Sequence, residues 1–284
     1  MSNLLMCAAT PSSGVRHRFA MLSAIKCFAD HFGYSVSMLW GVTKGVAFCR
    51  FEELFAPVPG VCVANVSPEQ LNEVAGWAGQ RKEVRIGDRA YRVFRPGDKP
   101  AESLFSWDLL ASGALARLAA PSWHQVVALT APAIRRHTRA YVAAHRLEAR
   151  LGIRVRVEEG GISGKRKPRR VMRDLEETVR SLVRIPWYTK TFIATDAEYI
   201  QQTLASHFKD AKFLPKKFDL QEATGRYVHR QDKHAMFTFL QEVDCLCRCS
   251  RIINVGGFLN ERSVGHKILE EPYSEAERLS LVRS

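Results

Sequence analysis

The sequence predicts an α/β fold in two halves, each a parallel sheet covered by helices. Two observations carry this. The chain opens as strand, glycine turn, helix and strand, and from Pro132 onward helices alternate with short apolar strands. A length of 284 residues suits two compact domains, and no fixed period repeats along it.

Each element has a local reason. Residues 1–10 begin apolar and run into a turn at Pro11–Gly14. Phe19, Leu22, Ile25, Phe28, Ala29 and Phe32 recur at helical spacing until Gly33 stops them. Tyr34–Trp40 alternates as a strand does, and Val61–Val66 is a second short strand. Ser67-Pro68-Glu69 starts a helix, with proline at its first position. Val84–Ile86 and Tyr91–Phe94 flank Gly87-Asp88 as a hairpin. Ala101 to Ala119 reads as a helix closed by Pro121.

In the second half, helices are expected over 132–150, 173–183, 197–208 and 233–248. Strands are expected over 151–157, 191–194, 212–214 and 251–255. The domains divide as 1–125 and 126–269, joined near 121–131, and a charged helix within 270–284 packs back on the first.

Composition narrows the class. With 46% hydrophobic and 25% charged residues the chain is not disordered, collagenous or a coiled coil. No apolar run approaches the roughly 20 residues of a membrane-spanning helix. The start, MSNLLMCAATPSS, lacks a basic n-region, so a cytosolic protein is expected, with at most peripheral contact with an anionic membrane. Lys+Arg 42 against Asp+Glu 29 leaves a net charge of +13 and points to a polyanionic partner.

Seven cysteines, an odd number, argue against a disulfide framework; Cys7, Cys27, Cys49 and Cys62 read as buried thiols. Cys245, Cys247 and Cys249, with His229 and His234 upstream, have the wrong spacing for a zinc site. No metal and no resident cofactor are expected. The run Lys165–Arg170 reads as a solvated basic loop, with nucleic acid or lipid headgroups as alternatives.

Three constellations sit at strand-to-helix transitions. Gly14-Val15-Arg16-His17-Arg18 is a glycine turn at a helix N-terminus, where free N–H groups and the dipole favour an anion. A plain turn with surface arginines is the alternative. Arg154 and Arg156 stand two apart on a strand and so share one face ahead of a glycine-rich loop. Arginine there suits a bidentate grip on phosphate; a solvent-facing edge strand is the alternative. Thr191–Asp196 is a buried strand running straight into a helix, and Asp196 either caps that helix or binds a ligand at the sheet edge.

In order and spacing these segments resemble the fucosyltransferase-like glycosyltransferases of the GT-B type, a group of bacterial α1,6- and eukaryotic core and protein O-fucosyltransferases. The family's first motif is roughly G-x-G-N-R-L-R, which Gly14-Val15-Arg16-His17-Arg18 matches. Cys49–Phe55 looks like the segment that follows in bacterial members. The second motif, H-x-R-R-x-D, falls on Arg154–Glu159, where Arg156 is unchanged. The third, F-x-A-T-D, is matched fully by Phe192–Asp196. Ala235–Asp244 and then Arg251–Phe258 look like the helix and strand that follow. Val15, Arg154, Val157 and Glu159 stand where the family has Asn, His, Arg and Asp. The resemblance runs from about Cys7 to about Phe258.

The resemblance implies a GT-B-like fold, two Rossmann-like halves with a cleft between them. It also implies an inverting, metal-independent transferase that moves a sugar, usually fucose from GDP-fucose, to a glycan or lipid-linked glycan. In that role Arg156, assisted by Arg154, would hold the leaving diphosphate. Thr195 and Asp196 would sit at the nucleoside, and Gly256, Gly257 and Phe258 near the phosphates. Gly14, Arg16 and Arg18 would line the cleft from the other half. Glu159 and Glu53 are candidate general bases. The rival readings are a basic α/β protein that has lost the chemistry, favoured by Val15 and Val157, and a nucleic-acid binder supported by charge alone.

Overall fold

The computed structural model describes residues 4–8, 15, 18–19, 22–23, 26, 29, 35–42, 49–70, 83–86, 89–93, 103–106, 123–155, 168–221, 226–228 and 233–255. The chain divides into two compact units. One comprises Met1–Pro132, Gln231–Met236 and Tyr273–Ser284; the other comprises Ala133–Arg230 and Phe237–Pro272. Among the described residues no helix is long and apolar enough to cross a membrane. The expected helix within 270–284 lies outside the described residues, as do residues 165–167 of the expected loop Lys165–Arg170, whereas Pro168, Arg169 and Arg170 open a helix instead, with proline at its first position.

The first unit carries strands β1 (Leu4–Ala8), β2 (Ser35–Gly41), β3 (Val61–Val66), β4 (Glu83–Ile86), β5 (Arg89–Val93) and β6 (Ser103–Ser106). They form one sheet in the order β3-β2-β1-β6-β5-β4. All pairs are parallel except β4 with β5, the expected hairpin. Leu4 to Ala8 pair with Ser35 to Leu39, the parallel pairing anticipated from the opening segments. β6 corrects the sequence reading. Ser103–Ser106, placed in a helix by the Ala- and Leu-rich composition around it, is a strand that pairs with both β1 and β5. A four-residue apolar strand has too short a period to stand out from helix-forming neighbours.

An aromatic cluster closes this unit. Val15, Phe19, Leu22 and Ala29 are helical and buried. Phe19, Trp40, Phe51 and Phe55 pack ring against ring at centroid distances of 4.7 to 6.4 Å. The short helix α1 (Phe51–Leu54) is fixed by its ends. The Arg50 amide donates to Glu53 Oε2 at 2.8 Å and the Phe51 amide to Asn65 Oδ1 at 2.8 Å. Helix α2 (Trp123–Ala128) then leads to Thr130, which bridges to Phe55.

The second unit has a four-stranded, fully parallel sheet. It is built from β7 (Leu151–Val155), β8 (Thr191–Thr195), β9 (Ala211–Lys212) and β12 (Arg251–Val255), in the order β12-β7-β8-β9. A small antiparallel pair, β10 (Asp219–Gln221) and β11 (Arg226–Val228), stands apart; the sequence reading did not contain it. Helices α3 (Pro132–His145) and α6 (Lys233–Cys247) cover one face, and α4 (Pro168–Leu182) and α5 (Glu198–His207) the other. Cover on both faces leaves all five residues of β8, TFIAT, buried, with Phe192–Ala194 forming its apolar centre. Ile153, Val155 and Ile193 pack with Val179, Leu182, Ile200 and Leu204. Phe192 and Ala194 pack with Cys245 and Leu246.

At Gly152 the helical layer comes close. A Cβ there would lie 3.0 Å from Leu246 Cδ2 on α6 and 3.2 Å from Cys249 Cβ just beyond it, a tight fit that would push these neighbours back by a few tenths of an ångström, so glycine suits the close approach.

Arg150 ties the strand entrances together. Buried at the turn after α3, it donates to the His145 carbonyl at 2.7 Å, the Asp210 carbonyl at 2.8 Å and Asp210 Oδ2 at 2.9 Å. The hydrogen bond from Arg150 holds the Asp210 carboxyl below its ordinary value, with Lys212 adding to it. Arg150→Met removes these bonds and is expected to cost about 2 kcal/mol, since bonds to charged groups are worth roughly that. The Asp210 contribution is present above the unfolded value near 3.8 and is lost as pH falls through the lower folded value. Urea unfolding at neutral and acid pH should therefore show a flatter acid limb in the variant than in the wild type.

Candidate functional site

The topology of the second sheet singles out one place. From β7 the chain steps outward through β8 to β9, while β12 lies on the other side of β7. Open α/β sheets bind ligands outside the carboxyl ends of the strands at such a reversal. Arg154 and Asn254 are register partners there, one residue before the ends of β7 and β12. Arg154 Nη1 donates to Asn254 Oδ1 at 3.4 Å, and the guanidinium is half-buried.

Beside it, at the end of β8, lies a cluster that sequence reasoning missed. The side chain of Lys216 has no exposed surface. Its ammonium donates to the Thr195 carbonyl and to Glu242 Oε1 and lies 5.7 Å from the centre of the Phe218 ring. Glu242 is buried in α6; burial pushes its carboxyl up, opposed by the positive charges of Lys216 and Arg154. Thus three cation- or anion-bearing residues, Arg154, Lys216 and Glu242, meet beneath the carboxyl edge. The signal was present in α6: a glutamate among Phe239, Leu240, Val243 and Leu246, on a helix otherwise apolar on that side.

Thr195 has both polar atoms engaged. Its hydroxyl oxygen accepts from the Ala197 amide at 3.2 Å and its carbonyl from Lys216. It shapes the turn. Asp196 does not cap α5: Ala197 occupies the N-cap, with no side-chain cap bond. The half-buried Asp196 follows β8 directly and so stands at the sheet edge.

Other expected site residues divide differently. Arg156, Glu159, Gly256, Gly257 and Phe258 follow β7 and β12 in the chain but lie outside the described residues, as do Gly14 and Arg16. Arg18 differs from expectation. It is 0% exposed, and its guanidinium stands 4.7 Å from the centre of the Trp40 ring and donates to the Gly41 carbonyl at 2.6 Å. Burial lowers its pKa to about 10. This arginine braces the end of β2 from inside the first unit; it does not present a surface charge.

Glu53 is likewise committed. It accepts from the Arg50 amide and pairs with Lys233, and the hydrogen bond from Lys233 holds its carboxyl below the ordinary range. A carboxylate held in that way makes a weak general base. Burial raises the thiols of Cys245, Cys247 and Cys249, the last two to about 12, which keeps them protonated at neutral pH. Among the described residues no group of three or more His, Cys, Asp or Glu is placed to hold a metal ion.

No protein-family model matches the chain, and no curated protein is detectably similar in sequence. Solved structures are similar in chain course. NodZ α-1,6-fucosyltransferase co-crystallized with GDP has 15% identity and a TM-score of 0.48, with 89% of this chain and 88% of that chain covered. The same enzyme soaked with GDP-fucose has 13% identity and a TM-score of 0.45, with 89% and 95% covered. The selenomethionine form of NodZ from Bradyrhizobium has 13% identity and a TM-score of 0.47, with 90% and 95% covered.

Removing one member of the buried pair strands the other. Lys216→Met should destabilise the protein by about 3–5 kcal/mol, whereas Lys216→Met combined with Glu242→Leu should recover most of that loss. Chemical unfolding of the single and double variants measures both.

Proposed function

We propose that the chain is a glycosyltransferase that takes a GDP-sugar, most simply GDP-fucose, and transfers the sugar to a glycan or lipid-linked glycan with inversion. The observation that carries this is topological. The segments that resemble the family's arginine motif, Arg154–Glu159, and its terminal strand and loop, Arg251–Phe258, start on the neighbouring parallel strands β7 and β12 beside the reversal point. The F-x-A-T-D match, Phe192–Asp196, forms the next strand and its exit.

In this reading the acceptor hydroxyl attacks the anomeric carbon and GDP departs from the opposite face. The difficulty is the charge growing on the diphosphate. Arg156 grips it, with Arg154 behind and the amides of Gly256 and Gly257 completing the cradle around Phe258. Asp196 accepts from the nucleoside, and Thr195 holds the turn that presents it. Gly14 and Arg16, which follow β1 in the chain, supply a second anion-binding turn in this reading. Glu159 takes the acceptor proton. Arginines in place of acids at the phosphates argue for catalysis without a divalent metal, because two cationic devices at one diphosphate repel each other.

The rival is a protein of the same fold that binds a polyanion without turnover, favoured by Val15 and Val157 where the family has Asn and Arg.

The first test is thermal shift with GDP, UDP and ADP. GDP alone should raise the melting temperature by mass action, and Arg156→Ala should abolish the shift while leaving the unliganded melting temperature unchanged. Equal shifts with all three nucleotides would favour the polyanion-binding rival.

The second test is hydrolysis of GDP-fucose in excess EDTA. The rate is expected to be unchanged by the chelator and to fall about a hundredfold or more in Arg156→Ala. Loss of activity with chelation and recovery with Mg²⁺ or Mn²⁺ would overturn the arginine mechanism.

A further inference from the structure

The opposite edge of the second sheet is built unlike its ligand edge. The segments entering the four parallel strands meet there and are stitched by backbone bonds. The Leu151 amide donates to the Lys190 carbonyl at 2.9 Å, Ser250 to Arg150 at 3.0 Å, Thr191 to Asp210 at 3.2 Å and Lys209 to Trp187 at 3.0 Å. They form one continuous surface.

On it stand two large aromatic side chains that the core does not cover. Trp187 is 55% exposed and Tyr188 68% exposed, ring beside ring at 6.1 Å. The Lys209 ammonium lies 5.8 Å from the centre of the Trp187 ring. Arg146, Arg184, Lys190, Arg248 and Arg251 are also exposed on the segments that form this edge. Their acidic company is limited: Glu148 is exposed, Asp210 is held by Arg150 and Lys212, and Asp244 pairs with Arg248 at 3.4 Å.

Exposed indole and phenol rings, with Lys209 beside the indole and further exposed cations along the same edge, match a phospholipid interface in chemistry. The rings settle at headgroup depth, with their polar ends wet, and the cations meet anionic headgroups. We propose that this edge, centred on Trp187 and Tyr188, docks the protein peripherally on an anionic phospholipid surface. β7, β8 and β12 are each five residues long, which puts the docking edge roughly 15 Å from Arg154 and Asp196. Docking therefore leaves the reversal point open. The inference does not depend on the reaction assigned to that point.

The test is co-sedimentation of the full chain with phosphatidylcholine vesicles and with vesicles also containing phosphatidylserine. The expected result is binding only to the latter, weakening as salt is raised. Lys190→Gln and Lys209→Gln should each weaken it about fivefold. Trp187→Ala with Tyr188→Ala should weaken it roughly tenfold or more. Melting temperatures near the wild-type value exclude unfolding as the cause, and Glu176→Gln, on α4 away from this edge, is the control that should bind as wild type does. Absence of vesicle binding by the wild type would overturn the proposal. So would equal loss in the control, insensitivity to the aromatic substitutions, or binding to a single-stranded RNA oligonucleotide in preference to vesicles.

Discussion

An ammonium group sealed from water sets the geometry of the second unit's ligand edge. Burying Lys216 costs several kcal/mol unless its protons are matched, and here the Thr195 carbonyl and the Glu242 carboxylate match them. Three stretches of chain are fixed relative to one another as a result: the exit of β8, the middle of α6 and the segment after β9. α6 then lies on β7 at the distance that Gly152 allows, and β12 emerges from α6 beside β7. The separation between Arg154 and Asn254 follows from that stack of constraints. It needs no contact from any ligand.

The first unit uses a cation in the same structural way. Arg18 spans Trp40 and the Gly41 carbonyl and makes the end of β2 rigid where a helix and two strands converge. Arg150 is buried too, and the interior cations Arg18, Arg150 and Lys216 are nearly matched by the buried acids Glu242 and Asp244, so the basic surplus of +13 lies almost wholly outside the described core.

The legible parts of the fold were those with a pattern longer than the noise. Val61–Val66 and Arg251–Val255 were read to the residue, because each is an apolar run between turn signals. The β4–β5 hairpin was visible from Gly87-Asp88. Ser103–Ser106 was not, since its partners β1 and β5 are remote in sequence and its neighbours favour helix. At the site, the placement of Arg154 and Asp196 at strand ends followed from alternation and from the Thr-Asp exit. The Lys216–Glu242 pair did not. Its members are far apart in the chain. Glu242 stood out among apolar neighbours on its helix, but Lys216 looks like an ordinary surface charge in isolation, and only tertiary packing brings the two together. Arg18 was misjudged for the same reason, an arginine beside a glycine turn being more often wet than buried.

The clip made by Arg150 has a consequence beyond stability. One guanidinium holds the turn after α3 and the approach to β9, while the Arg150 carbonyl accepts from both the amide and the hydroxyl of Ser250. The strand entrances are thereby ordered before anything touches them. A surface of that kind presents its side chains without a further loss of backbone entropy on association, so even modest contacts convert into measurable affinity. Loosening the clip would tax every encounter at that edge without altering a single exposed residue.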